Sequence, residues 1–81
     1  MTVTVNVFAR LREQLGTSAW TESVPEGTTS RQLVKVLSER EAAISELENV
    51  LRVAVNDEWV QKDRILEDGD EVALLTPVSG G

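Results

Sequence analysis

Chemistry in this chain has few places to come from. There is no cysteine and no histidine among the 81 residues. Thiol nucleophiles, disulfides, thiolate zinc sites and imidazole acid–base catalysis are therefore excluded. Carboxylates remain, and two arrangements of them stand out. One is the run Glu67, Asp68, Asp70 and Glu71 around Gly69. A calcium loop sets its oxygen ligands at alternate positions over a longer loop closed by a distal glutamate. This run lacks that pattern and reads as a solvated turn, with Gly69 supplying backbone freedom. The other is the carboxylate of the chain end, at the close of Thr76-Pro77-Val78-Ser79-Gly80-Gly81.

Pro77 lacks the N–H that an interior ladder requires, so strand pairing is expected to stop there. Gly80 and Gly81 have no Cβ and almost no apolar surface to tie them to a core. Fully extended, the residues beyond Thr76 reach about 17 Å. Paired glycines also make an end thin enough for a slot that rejects any side chain. The expectation is one β-rich domain over residues 1–76 and an extended, flexible tail over 77–81 ending in a free carboxylate. A frayed end would account for two glycines just as well. A reactive end needs a platform that presents it.

Composition sets the bounds of that platform. A chain this short forms one small domain, and 41% hydrophobic residues suffice for a packed core. No apolar run is long enough to span a membrane, and no charged segment followed by a long apolar one opens the chain. A cytoplasmic protein without membrane contact is expected. The net charge of −6 opposes binding to nucleic acid and favours basic partner surfaces.

Residues 2–8 alternate, with Val3, Val5 and Val7 on one face and Thr2, Thr4, Asn6 and Phe8 on the other. The period then changes: Leu11 and Leu15 are four apart and Gly16 is a natural stop, so one or two helical turns are expected over 9–15. Residues 17–24 read as a second strand, antiparallel to the first and ending at Pro25. Thr29 and Gln32 have capping-box spacing and open the main helix, whose apolar stripe is Leu33, Val34 and Leu37. Helical character lapses around 40–43, with a further turn possible at Ile44 and Leu47. Residues 50–56 form a third strand, Asn56-Asp57 a tight turn, Trp59-Val60 a short fourth strand and 72–76 the last. The order implies an α+β fold: a mixed five-stranded sheet with one main helix across a single face. In such a sheet the first and last strands are natural parallel neighbours at the centre.

Parity singles out three apolar side chains. If Val72 and Leu74 face the helix, then Leu75 and Phe8 face away, and Trp59 lies on a short strand near the sheet edge. Phe8, Trp59 and Leu75 could form an exposed apolar patch of the kind that marks protein interfaces, unless sheet twist and loops cover them. Arg10, Arg12 and Arg64 could meet a partner's acids, though scattered surface charge is the simpler reading.

The opening Val5-x-Val7-Phe8-Ala9-Arg10-Leu11-Arg12-Glu13, followed by Gly16, resembles the small, sulfur-carrying subunit of molybdopterin synthase. So does the close, Asp68-Gly69-Asp70-Glu71-Val72-Ala73-Leu74-Leu75-x-Pro77-Val78-x-Gly80-Gly81. The likeness runs the length of the chain; the middle helix matches only in type. It implies the ubiquitin-like β-grasp fold. It also implies that an E1-like adenylyltransferase uses ATP to adenylate the carboxylate of Gly81. Sulfur from a donor protein then gives a thiocarboxylate. The tail, here Pro77, Val78, Ser79, Gly80 and Gly81, inserts into the large synthase subunit, which supplies the catalytic groups. Sulfur passes there to a cyclic pyranopterin precursor, in a heterotetramer of two small and two large subunits. By position, Phe8, Trp59 and Leu75 match the family's contact surface. The family often has aromatics where Leu74 and Leu75 stand. No cofactor or metal is expected on this chain apart from covalent sulfur at Gly81.

Other readings of such a chain are a carrier for thiamine, cysteine or tRNA thiolation, a ubiquitin-like modifier, or a plain interaction domain. Thiazole carriers are typically shorter and lack the 9–15 helix. Gly81→Ala is expected to impair activation by an E1-like enzyme. The same variant should melt within about a degree or two of wild type, because the tail contributes little packing.

Overall fold

Alternation over the first seven residues becomes β1 (Thr2–Val7), and the change of period becomes α1 (Ala9–Leu15). In this computed structural model, which describes residues 1–60 and 63–76, the order continues β2 (Ala19–Ser23), α2 (Ser30–Arg40), α3 (Ala42–Leu47), β3 (Arg52–Val55), β4 (Glu58–Val60) and β5 (Glu71–Leu75). The strands form one mixed sheet in the order β2-β1-β5-β3-β4. β1 and β5 run parallel at its centre, Val5 beside Val72 and Val7 beside Leu74. Every other pairing is antiparallel. This is the expected β-grasp arrangement, and it places the end of β5 in the middle strand.

The helical layer covers one face. Val3, Val5 and Val7 of β1 and Val72 and Leu74 of β5 are almost fully buried against Leu33 and Leu37 of α2. Burying each such side chain is worth about 1.5–3 kcal/mol. Leu11 of α1 and Ile44 of α3 are also fully buried, so α2 shares the face with two shorter helices. The capping box at the start of α2 is formed: Gln32 N–H donates to Thr29 Oγ1 (3.2 Å) and Thr29 N–H to Gln32 Oε1 (3.0 Å).

Boundaries differ from the sequence expectation where local hydrogen bonds compete. The helix break itself is as expected: Glu41 leaves helical geometry (φ −118°, ψ 111°), ending α2, and α3 holds Ile44 and Leu47. β3 begins at Arg52 rather than 50, because the N–H groups of Val50 and Leu51 both donate to the Leu47 carbonyl at 2.9 Å. β2 begins at Ala19, after Gly16 closes α1 in the left-handed region and donates to the Arg12 carbonyl.

The acidic turn corrects the expectation in one respect. Glu67, Asp68 and Glu71 are solvated, but Asp70 is only 7% exposed. Its carboxylate accepts from the side-chain amide of Asn56 (2.9 Å) and from Glu67 N–H (2.8 Å). Asn56 Oδ1 in turn accepts from Glu71 N–H at 2.9 Å. Asn56 and Asp57 both have positive φ, which is the two-residue type I′ geometry linking β3 to β4. Asp70 thus ties the start of β5 to the β3–β4 turn. Asp70→Ala should lower stability by about 1–3 kcal/mol in urea denaturation, since it strands a buried amide and an N–H. Glu67→Gln, whose side chain is solvated, should cost about half a kcal/mol or less.

Candidate partner-binding face and tail exit

The sheet face away from the helices carries the candidate residues. Because side chains alternate along β1, burial of Val3, Val5 and Val7 sends Phe8 to the opposite face. Phe8 stays extended (φ −135°, ψ 162°), so it prolongs the register that sets Val7 beside Leu74 and comes level with Leu75. The chain then turns sharply at Ala9, a non-glycine residue at φ 50°. The Phe8 carbonyl accepts from Leu11 N–H (3.1 Å) and Arg12 N–H (3.4 Å), and buried Leu11 anchors the helix. Phe8 is thereby held between a central strand and a docked helix while its ring remains 46% exposed.

Trp59 reaches the same face from the edge strand β4. It stands opposite Ala54 of β3, which stands opposite Ala73 of β5. Two alanines in a row give a low floor, and Ala54 is only 7% exposed because its methyl sits among taller side chains. Trp59 is 64% exposed. Leu75 is half-buried and faces Arg52 across β3. With strands about 4.8 Å apart, the β4 indole is roughly 10 Å from the β5 line. The result is a shallow apolar surface, Phe8 and Leu75 along one side and Trp59 along another, with β5 leaving from it at Thr76.

Phe8, Trp59 and Leu75 therefore share one face, as their parity suggested. Pro77, Val78, Ser79, Gly80 and Gly81 lie outside the described residues. Arg64 pairs with this chain's own Glu58 at 3.5 Å. Arg10 and Arg12 are exposed near Phe8. Sequence reading did not single out Arg52 or the alanine floor; aligning β3 against β5 by parity would have found both. Exposed Val36, Val50 and Ile65 were missed as well, and they belong to other surfaces. Among the described residues, no group of acidic side chains is placed to hold a metal ion, and no helix is long and apolar enough to cross a membrane.

The sequence model of the ThiS family matches residues 5–81. The chain belongs to the ThiS family. The molybdopterin synthase sulfur carrier subunit of Escherichia coli (strain K12) is 40% identical over 81 residues, covering 98% of this chain and 99% of the relative. Among solved structures, the complex of subunits 1 and 2 of the molybdopterin-converting factor from Helicobacter pylori superposes with a TM-score of 0.76. Identity there is 27%, with full coverage of both chains. The small archaeal modifier protein 1 from Methanosarcina acetivorans superposes at 0.81 and 26% identity, covering 99% and 96%. These likenesses bear out the resemblance seen at the two ends of the sequence.

In this ThiS-family chain the apolar face has a measurable signature. Phe8→Ala and Trp59→Ala should each weaken binding to a cognate partner about tenfold or more, as truncating an interface aromatic usually does. Both should change stability far less, since both rings are substantially solvated. Titration calorimetry beside denaturant melts separates the two effects.

Proposed function

We propose that this chain is the sulfur carrier of a molybdopterin synthase, working through its terminal carboxylate. A carboxylate is a poor electrophile. Attack of a Gly81 carboxylate oxygen on the α-phosphorus of ATP expels pyrophosphate and leaves an acyl adenylate with a good leaving group. Hydrosulfide supplied by the donor system then adds at the carbonyl carbon and expels AMP, and loss of the S–H proton leaves the thiocarboxylate. The E1-like enzyme supplies the cations and bases for this step.

The observation that supports the reading best is where β5 ends. The strand is locked between β1 and β3, and it leaves the sheet within the apolar face of Phe8, Trp59 and Leu75. A partner seated on that face receives the next residues directly. Pro77 to Gly81 would enter the large synthase subunit, and only glycines would pass the narrowest part. Two carriers and two large subunits would form the heterotetramer. The chain carries sulfur in the cytoplasm and binds no cofactor of its own.

A second reading, a modifier joined through Gly81 to lysines, draws on the likeness to the archaeal modifier protein. Both readings need a free terminal carboxylate. A chain with one residue added after Gly81 should therefore form no adenylate or thiocarboxylate with the activating enzyme. Normal activation of the extended chain would remove both.

A further inference from the structure

β2 lies at the edge of the sheet, and its outer side is open. Met1 and Val24 exchange both hydrogen bonds, Val24 N–H to the Met1 carbonyl and the terminal amino group to the Val24 carbonyl, each 2.8 Å. Antiparallel ladders alternate, so Glu22, Trp20 and Ser18 direct their backbone groups to β1, and Val7 N–H does donate to the Ser18 carbonyl. The backbone groups of Ala19, Thr21 and Ser23 consequently point outward. Among the described residues their only partner is the Thr17 hydroxyl, which donates to the Ala19 carbonyl at 3.1 Å. Edge strands are normally protected by proline, lysine, a bulge or a covering segment. Ala19-Trp20-Thr21-Glu22-Ser23 has none of the first two, and its register with β1 runs without a bulge.

We propose that this edge pairs with the β2 edge of a second copy, antiparallel about a two-fold axis at Thr21. The strand is complementary to itself in that register, which is centred on its own middle residue and pairs all of its outward backbone groups. Thr21 meets Thr21 of the second copy, and Ala19 meets its Ser23, each pair exchanging two backbone hydrogen bonds. Only small uncharged side chains face one another on the open side of the sheet. On the helical side Trp20 comes opposite Glu22 of the second copy, whose carboxylate is already paired with Arg40. The same carboxylate also accepts from the indole N–H of its own Trp20 at 2.7 Å, so the acid that comes opposite is already partnered. A register centred on Glu22 would still pair Thr21 with Ser23, but it would set two carboxylates face to face across the axis.

The helical side adds a second complementarity. Two hollows flank β2 there. One, of about 280 Å³, is lined by Leu15, Trp20, Arg40 and Glu41. The other, of about 400 Å³, is lined by Val24, Lys35, Val36 and Glu39. A two-fold axis at Thr21 sets the first hollow of one copy against the second of the other. Lys35 and Glu39, opposite charges one helical turn apart, then meet α2 of the second copy in reverse order. Val36, half-exposed in the single chain, would be covered. Trp59 lies on the opposite edge strand and Leu75 on the central one, so the pairing of β2 edges covers neither.

Sedimentation equilibrium of the full chain across the micromolar-to-millimolar range tests this. The average mass should rise with concentration from 8.9 kDa toward twice that value. Thr21→Lys opposes like charges across the axis, and Thr21→Pro removes a central donor without touching the bonds to β1. Each should raise the dimer dissociation constant about tenfold or more, with circular dichroism unchanged. Mixing Thr21→Lys with Thr21→Asp should restore association. A single-chain mass throughout, or a dimer indifferent to both substitutions in folded protein, would overturn the proposal.

Discussion

The parallel pairing of β1 with β5 is the constraint on which the rest of the molecule depends. It joins the first strand of the chain to the last, across almost the whole sequence. Parallel pairs cannot close through a tight turn, so everything between must cross over, and the helices supply that crossover. Their apolar stripes then find a valine-rich face already assembled beneath them. One pairing thus fixes the helical layer, buries the core and puts the end of β5 at the centre of a rigid sheet. A chain end carried on an edge strand or a loop would have no comparable support.

The same pairing sorts the two faces by parity. Val72 and Leu74 are buried with the β1 valines, so Leu75 and Phe8 emerge together on the other side. Asp70 holds the opposite end of β5 through Asn56, which keeps the register of β5 against β3 from slipping. A one-residue slip would bury Leu75 and expose Leu74, and the apolar face would be lost. Buried polar chemistry at one end of the strand therefore secures a hydrophobic surface at the other.

Much of this was legible in the sequence because β1 and β5 alternate cleanly and the capping box marks the main helix. The face shared by Phe8 and Leu75 followed from parity alone. The break near 40–43 and the turn beyond it were legible too, and fall at Glu41 and in α3. What escaped was decided by competition among backbone groups: the Leu47 carbonyl takes the N–H groups of Val50 and Leu51 and shortens β3. Asp70 looked like its solvated neighbours because nothing local tells which acid of a cluster turns inward. That choice is made by Asn56, fourteen residues away.

The central claim, that the terminal carboxylate of Gly81 is the working group, has one direct measurement. It is the intact mass of the chain after incubation with ATP, a sulfur source and a cognate E1-like enzyme. A gain equal to one oxygen replaced by sulfur, located on the C-terminal peptide, is expected. An unchanged mass in the presence of a demonstrably active enzyme would contradict it.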